Sequence, residues 1–377
     1  MISICFISTY LNHHNKPFCD ELYSMTHGNF FYVSTSNIGE VRRNMGFSQM
    51  KAEYLLDYAN SSNPEAIQKV IDDVDVVLIS ASAPVKLLRN RMGTNALTFR
   101  CSERLFKTRS RYLKAPIHWM RCFLTRKAHL LCNSAATARD YNLLGFYKHR
   151  CYKWGYFTEV KSVNPDLLWE QKHKKRLTQN CVSFLWVGRL IGWKHPETAV
   201  LALHEVKKAG YQFDFNIIGD GAETQKLSAL IDRLGMNDCV HLLGAKTTEE
   251  VRHYMEDSEI FLFTSDRQEG WGAVLNESMS CACAVVANSE IGAVPFLIKD
   301  KNNGMIYSKG SVDSLVECLR SLMESESYRR QIGIEAYRTL SDNWTPRKAA
   351  QNLLLLIDSI QKGKDNTIKE GPCSFSE

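Results

Sequence analysis

The stretch FLFTSDRQEGWGAVLNESMSCACAVV, residues 261–286, decides how the rest of the chain is read. Its first residues close an apolar strand, Ile260–Phe263, and its last belong to another, Ala284–Ala287. Between them lie a polar loop and a segment, Val274–Ser280, that reads as a helix. Two short apolar strands joined in this way predict a βαβ unit in a parallel sheet, with the strands covered on both faces. Glu269 stands in the loop, and Glu277 follows eight residues later in the expected first turn of the helix. The intervening Gly270-Trp-Gly-Ala-Val-Leu-Asn276 lets a ligand approach the backbone closely. The helix start points its free N–H groups at that loop, an arrangement suited to a pyrophosphate. Two carboxylates placed there can accept hydrogen bonds from sugar hydroxyls, each charge-assisted bond contributing about 1.5–3 kcal/mol. In isolation the same pattern fits a surface acid beside a capping acid.

The alternation continues on both sides. Val182–Val187 is a strand that runs into Gly188, and His195–Ala209 is a helix begun by Pro196 and stopped by Gly210. Phe213–Ile218 is a strand that meets Gly219-Asp-Gly221, followed by a helix over Glu223–Leu234. Further strands are expected at Ile2–Ser8, Phe30–Val33, Asp75–Ser80, Ala96–Arg100, His129–Asn133 and Val240–Leu243. At 377 residues the chain exceeds one ordinary core. The predicted fold class is therefore α/β, with two Rossmann-like β/α/β domains. Residues 1–165 are expected to form the first and 166–345 the second, with a helix over 346–362 crossing back to the first domain and a disordered tail at 363–377. The polar stretch Lys161–Asn180 marks the boundary, and Lys172–Arg176 reads as a linker or an exposed helix end.

Composition narrows the class. Hydrophobic residues at 44% and charged residues at 23% are ordinary for a globular chain. No apolar run reaches the roughly 18 residues of a spanning helix, and the opening Met1–Ser8 reads as a buried strand instead of a signal segment. The twelve cysteines show no zinc or disulfide spacing and read as buried reduced thiols of a cytoplasmic protein. Net charge is +6, yet residues 1–180 hold 26 Lys and Arg against 14 Asp and Glu, so the first half carries +12 and the second −6. Different partners are expected for the two halves.

Val187-Gly188-Arg189-Leu190, followed by Lys194, places two cations just beyond a strand end, where open α/β sheets bind ligands. Arg189 can fork onto a phosphate, and Lys194 can act as a mobile point charge. With Ile218-Gly219-Asp-Gly-Ala-Glu223, His241-Leu-Leu243-Gly244 and Glu269 through Cys281, these motifs follow the order and spacing of retaining family 4 glycosyltransferases. The chain resembles that family, whose fold is GT-B, over about residues 180–360, continuing through Gly292–Pro295, Asn303-Gly304 and Trp344. The resemblance implies two facing domains with the active site in the cleft between them. It further implies a metal-independent hexosyltransferase that needs no cofactor, only a nucleotide-diphosphate sugar as co-substrate. Arg189 and Lys194 would hold the diphosphate, Glu277 the ribose and Glu269 the donor sugar. Gly270, Trp271, Gly272, Ala273 and Val274 would supply backbone N–H groups, while His241–Gly244, Leu243 among them, would border the base. Two departures stand out: the family's Cys-Gly-Thr-Pro is Cys281-Ala-Cys-Ala284 here, and its later Pro-Glu is Pro295-Phe296.

The first half resembles the family less. Tyr10-Leu-Asn-His13-His14-Asn15 replaces its glycine-rich loop, and the two histidines either meet phosphate or acceptor or stay at the surface. Arg100-Cys-Ser-Glu103-Arg104 stands where relatives place a histidine, so Glu103 or Arg104 faces the reacting centre, Glu103 as a base or as the partner of a neighbouring cation. Ser82, at another strand end, joins the same acceptor side. Asp73–Asp75 and Asp214–Asn216 have the spacing of metal-binding carboxylates but sit before and within strands, and both read as structural. Between Lys86 and Lys127 there are 12 Lys and Arg and one acid, with Phe106, Tyr112, Trp119 and Phe123 interleaved. An anionic membrane surface or a polyprenyl-diphosphate acceptor suits this stretch better than nucleic acid, which is not expected as a partner. The functional reading is glycosyl transfer to a glycan or lipid-linked acceptor at the inner face of the cell membrane. An epimerase or phosphorylase on the same fold, or a non-catalytic binder, is the alternative.

Overall fold

The computed structural model describes residues 1–39, 50–92 and 94–377. Two compact units result, Met1–Glu159 with Asn343–Glu377, and Val160–Asp342. Each is built on a parallel sheet in the α/β manner that the strand pattern predicts.

In the first unit the strands are β1 (Ile4–Ser8), β2 (Phe30–Ser34), β3 (Leu55–Asp57), β4 (Val76–Ser80), β5 (Leu97–Ser102), β6 (His129–Cys132) and β7 (Cys151–Lys153). Their order is β3-β2-β1-β4-β5-β6-β7, so the direction of winding reverses between β1 and β4. β1 and β4 pair in register, Ile4 with Val76 and Ile7 with Ile79, and Cys5, Ile7, Val33, Val77 and Ile79 pack into one core cluster. The helix Pro346–Gln361 packs on the helix Lys16–Met25 within this unit. Ala349, Ala350, Leu353, Leu356 and Ile357 are buried on the one helix, and Phe18, Cys19 and Leu22 on the other.

The tail is not disordered as expected. Lys153 N donates to Ser374 O at 2.8 Å, Cys373 N to Lys153 O at 2.8 Å, and Ser376 N to Cys151 O at 2.9 Å. Asn352 Nδ2 holds Pro372 O at 2.8 Å, and Cys373 is fully buried. The physical reason is that β7 is an edge strand, and the tail supplies the backbone partners that an edge otherwise leaves to water.

In the second unit the strands are β8 (Val182–Val187), β9 (Phe213–Ile218), β10 (Val240–Leu242), β11 (Ile260–Phe263), β12 (Ala284–Asn288) and β13 (Met305–Tyr307). Their order, β10-β9-β8-β11-β12-β13, reverses between β8 and β11. Phe184, Phe215, Ile217, Leu262, Val286 and Leu203 belong to the core cluster beneath the strands. Lys172–Arg176 lies inside the helix Pro165–Gln179 and is no linker. Lys172 is 1% exposed, its ammonium donating to Met255 O at 2.8 Å and Ser258 O at 2.5 Å, because that ammonium satisfies carbonyls at the end of the helix Thr248–Asp257.

A second buried charge closes the base of this unit. Arg329 Nε and Nη2 donate to Glu259 Oε1 at 3.1 and 2.9 Å, with the two side chains 1% and 0% exposed. Deleting one member strands the other in a low-dielectric interior. Arg329→Met should therefore lower the stability of the second unit by about 3–5 kcal/mol in urea unfolding, whereas a change below about 1 kcal/mol would mean that Glu259 finds other partners.

Candidate functional site

The carboxyl ends of adjacent strands β8 and β11 mark the place where the second sheet reverses, the usual ligand position in open α/β sheets. Two loops leave the sheet there, and hydrogen bonds lace them together. Trp186 Nε1 donates to Thr264 Oγ1 at 2.9 Å, and Thr264 Oγ1 donates to Lys194 O at 2.8 Å. Asp266 N donates to Trp193 O at 3.0 Å. The lacing sets Lys194 of the first loop opposite Glu269 of the second, and their side chains form a salt bridge at 12% and 11% exposure. Ser265 Oγ adds a hydrogen bond to Glu269 Oε2 at 3.1 Å. The Lys194 ammonium also lies 4.8 Å from the Trp193 ring centre, and the Arg189 guanidinium lies 5.9 Å from the same ring. Arg189 is otherwise exposed, so one cation is half-buried and committed while the other stands in solvent. Both are within cation–π reach of one indole, which holds the two cations near each other.

Backbone packing makes the floor. At Gly219, φ is +144°, and an added Cβ would lie 1.8 Å from Gly188 O, so the turns after β8 and β9 touch main chain to main chain. Gly219 N donates to Gly244 O at 2.9 Å, and Leu243 N to Ile217 O at 2.9 Å, which brings the Leu243 turn alongside. Gly272, at φ +85°, caps the helix Ala273–Ser280, and a Cβ there would meet Phe263 Cζ at 2.3 Å. The first turn of that helix, which follows directly on Glu269, Gly270 and Trp271, leaves N–H groups without helical partners, while Leu275 N donates to Gly272 O at 2.9 Å. Trp271 Nε1 donates to Asn276 Oδ1 at 2.8 Å, both residues fully buried, and so anchors the loop to the helix it precedes. Glu277 lies one turn inside the helix instead of in its first turn, because the helix begins at Ala273, one residue earlier than expected. Of the expected donor-side residues, Gly188, Arg189, Lys194, Gly219, Leu243, Glu269–Val274 and Glu277 all sit at or next to this end of the sheet.

The first unit brings a smaller group to its own reversal point. His13 and His14 follow β1, and Ser82 follows β4. The two imidazole centres are 4.0 Å apart, and His14 lies 5.9 Å from the ring of Tyr156. Tyr156 OH reaches Glu103 Oε1 at 3.5 Å, and Lys107 Nζ binds Glu103 Oε2 at 2.5 Å. Glu103 therefore stands among a lysine, a tyrosine and, through that tyrosine, a histidine. Tyr156 carried no motif and was not anticipated. Arg100 and Arg104 depart from expectation. Arg100 is 4% exposed inside β5, donating to Thr125 Oγ1 at 3.1 Å and lying 5.6 Å from the Tyr141 ring centre. The strand runs two residues further than its apolar pattern suggested, and Arg100 turns to the face covered by helices, where Thr125 and Tyr141 receive its guanidinium. Arg104 is 8% exposed, 3.7 Å from the Asp140 carboxylate, and serves the same layer.

His195 is the residue that sequence reasoning missed on the donor side. It adopts φ +49° at the start of the helix Pro196–Lys208. Its Nδ1 lies 2.9 Å from Glu197 Oε1, and its Nε2 lies 3.4 Å from Asp266 Oδ2 in the second loop. The Glu197 hydrogen bond first, aided by Asp266, raises its pKa above the ordinary 6.5 against the opposing effect of burial. The signal was faint: a histidine before a helix-starting proline.

Residues 168–339 match the family model of glycosyl transferases group 1. The second unit is a group 1 glycosyl transferase domain. Its relatives include the amylovoran biosynthesis glycosyltransferase AmsK of Erwinia amylovora, 32% identical over 148 residues, 38% of this chain and 36% of that one. Another is the N-acetylgalactosamine-N,N'-diacetylbacillosaminyl-diphospho-undecaprenol 4-alpha-N-acetylgalactosaminyltransferase of Campylobacter jejuni, 30% identical over 146 residues, 39% of this chain and 38% of that one. Both alignments thus span well under half of the relative's length. Among solved structures, Anabaena HepE in complex with UDP superposes with a TM-score of 0.72 at 16% identity, over 95% of this chain and all of that one. The likeness is one of fold, and the two parallel-sheet α/β units are those of the GT-B class.

The group 1 domain's loops are coupled to a titrating side chain. Carboxylates that raise the His195 pKa stabilise the fold fully below pH 6.5, and that contribution is lost as pH rises through the raised value. The Tm of the wild type should thus fall, relative to His195→Asn, on going from pH 6 to pH 8, Asn being tolerant of positive φ. Parallel Tm profiles for the two proteins would show that the imidazolium is not held by these acids.

Proposed function

We propose that the protein is a glycosyltransferase that moves a sugar from a nucleotide-diphosphate donor to a glycan or lipid-linked acceptor in surface polysaccharide or glycoconjugate synthesis. The observation that carries the reading is the Lys194–Glu269 pair at the reversal point of a group 1 glycosyl transferase domain. When a diphosphate arrives, Lys194 exchanges one oxygen partner for another and, with Arg189, neutralises the leaving group. Glu269 is then free to accept hydrogen bonds from hydroxyls of the donor sugar. The N–H groups at Gly270–Val274 face the same anion, and Glu277 takes the ribose hydroxyls.

In this reading the C–O bond to the diphosphate breaks on the face at which the acceptor hydroxyl attacks. The hydroxyl proton passes to the departing phosphate oxygen as the new glycosidic bond forms, and configuration is retained. Charge on the leaving group is met by two side-chain cations, so the reaction runs without a metal ion. Glu103, set between Lys107 and Tyr156, orients the acceptor on the first unit together with His13, His14 and Ser82. AmsK is named for a polysaccharide pathway, the Campylobacter enzyme for a diphospho-undecaprenol substrate, and HepE was solved with UDP. These names favour a polyprenyl-diphosphate-linked acceptor and a uridine nucleotide. No helix among the described residues is long and apolar enough to cross a membrane. For a lipid-linked acceptor the reading adds peripheral contact at the inner face through the basic stretch of residues 86–127, of which Arg91, Arg100 and Arg104 are buried.

Arg189→Ala and Glu277→Ala should each lower kcat/KM by about tenfold or more, the loss expected of one charge-assisted contact. A panel of nucleotide sugars read by thermal shift identifies the donor for that assay. Unchanged donor binding in both variants would remove these residues from the site.

A further inference from the structure

The segment that sequence reading marks only as basic folds into a helix with two unlike faces. Within Ala115–Leu124 and its flanks, Cys122 and Thr125 are buried and His118 is partly so, all facing the first unit's interior. The outward stripe is Leu113, Ile117, Met120 and Leu124, exposed by 85%, 51%, 60% and 41%. Those positions recur at steps of four, three and four, the spacing of one helix face. Trp119 and Phe123, stacked with centres 5.4 Å apart, widen the stripe and are themselves 49% and 43% exposed. Isolated exposed apolar residues are ordinary, but six within twelve residues form a patch that calls for an occupant.

The rim of the patch identifies that occupant. Arg111, Lys114, Arg121, Arg126 and Lys127 are exposed around it, and Arg126 lays its guanidinium 4.4 Å over the Phe123 ring. No acid occurs from Arg104 to Arg139. The buried Arg91, Arg100 and Arg104 do not contribute to this rim, nor does Lys107, which is held by Glu103. What remains is an apolar stripe with a cationic border on a helix of ten residues, too short to span a bilayer and suited to lie in its plane. We propose that residues 111–127 seat the first unit on an anionic phospholipid surface, with Leu113, Ile117, Trp119 and Met120 entering the headgroup–acyl boundary and the cations meeting lipid phosphates. A protein partner would have to present an unbroken acidic ring around an apolar centre, whereas an anionic bilayer offers that combination everywhere. The segment continues directly from Glu103–Lys107, so the lipid seat and the acceptor-side residues belong to one piece of chain. The inference rests on the transferase reading for its purpose, and on the helix alone for its binding.

The test is sedimentation of the full-length protein with vesicles of phosphatidylcholine, with or without about one third phosphatidylglycerol. The wild type should pellet with the anionic vesicles and weaken by about tenfold or more on neutral ones. The pair Ile117→Gln with Met120→Gln, at positions more than half exposed, should leave Tm unchanged and reduce binding about tenfold or more. Lys114→Gln and Arg121→Gln should each reduce it about fivefold at low salt, an effect that fades near 0.5 M salt as screening lengths fall to a few Å. Variants that pellet like the wild type would overturn the proposal. So would a wild type that stays in solution with anionic vesicles, a result that leaves an acidic protein as the occupant. UDP binding, measured on the same preparations, separates the two readings: vesicle binding intact with no nucleotide affinity contradicts the transferase reading alone.

Discussion

A lysine and a glutamate from separate loops, paired at the point where a parallel sheet reverses, organise the functional end of the second unit. Such a pair adds little to stability, because removing two charges from water costs about as much as their attraction returns. Its placement is instead what the surrounding structure maintains. The indole of Trp186, the hydroxyl of Thr264 and the main chain of Trp193 lace the two loops, and the contact of Gly219 with Gly188 sets the floor beneath them. In the proposed chemistry the pair is the unloaded form of the site, in which each charge holds a place that the diphosphate and the sugar later take.

Much of this was legible because the strands of the second unit are short apolar runs, β8 and β9 directly followed by glycine, and the candidate site lies where those runs end. Val182–Val187, Phe213–Ile218 and Ile260–Phe263 were bounded to the residue. Of the four three-residue strands among the described residues, β10 was anticipated from its apolar run while β3, β7 and β13 were not, since so short a run carries little period of its own and depends on pairing with a neighbour. The tail escaped for the same reason: its composition is polar, and its order comes from an edge strand more than two hundred residues earlier in the chain. Charge misled in a consistent way. Lys172 read as part of a linker or exposed helix end, Arg100 and Arg104 as acceptor-side residues and Arg91 as part of a basic surface stretch, yet each is buried, with carbonyls, hydroxyls or a carboxylate that only the tertiary fold supplies.

The two departures from the family pattern now have physical surroundings. Ala282 stands at φ +54° where the resemblance has glycine, and its carbonyl accepts the Trp169 indole N–H at 2.9 Å. The left-handed turn is thus retained without its usual residue, held by a buried tryptophan from the helix Pro165–Gln179. Phe296 replaces a carboxylate and places its ring 6.2 Å from that of Trp271 in the Glu269 loop. Where the resemblance has an acid, this chain sets an aromatic ring beside the loop.

The most direct test of the central claim is a crystal structure of the full-length protein soaked with UDP. The diphosphate should lie at the β8–β11 reversal, within hydrogen-bond distance of Lys194 and Arg189, with the Lys194–Glu269 salt bridge opened. Nucleotide bound elsewhere, or bound there with Lys194 still closed on Glu269 and its ammonium remote from every phosphate oxygen, would contradict it.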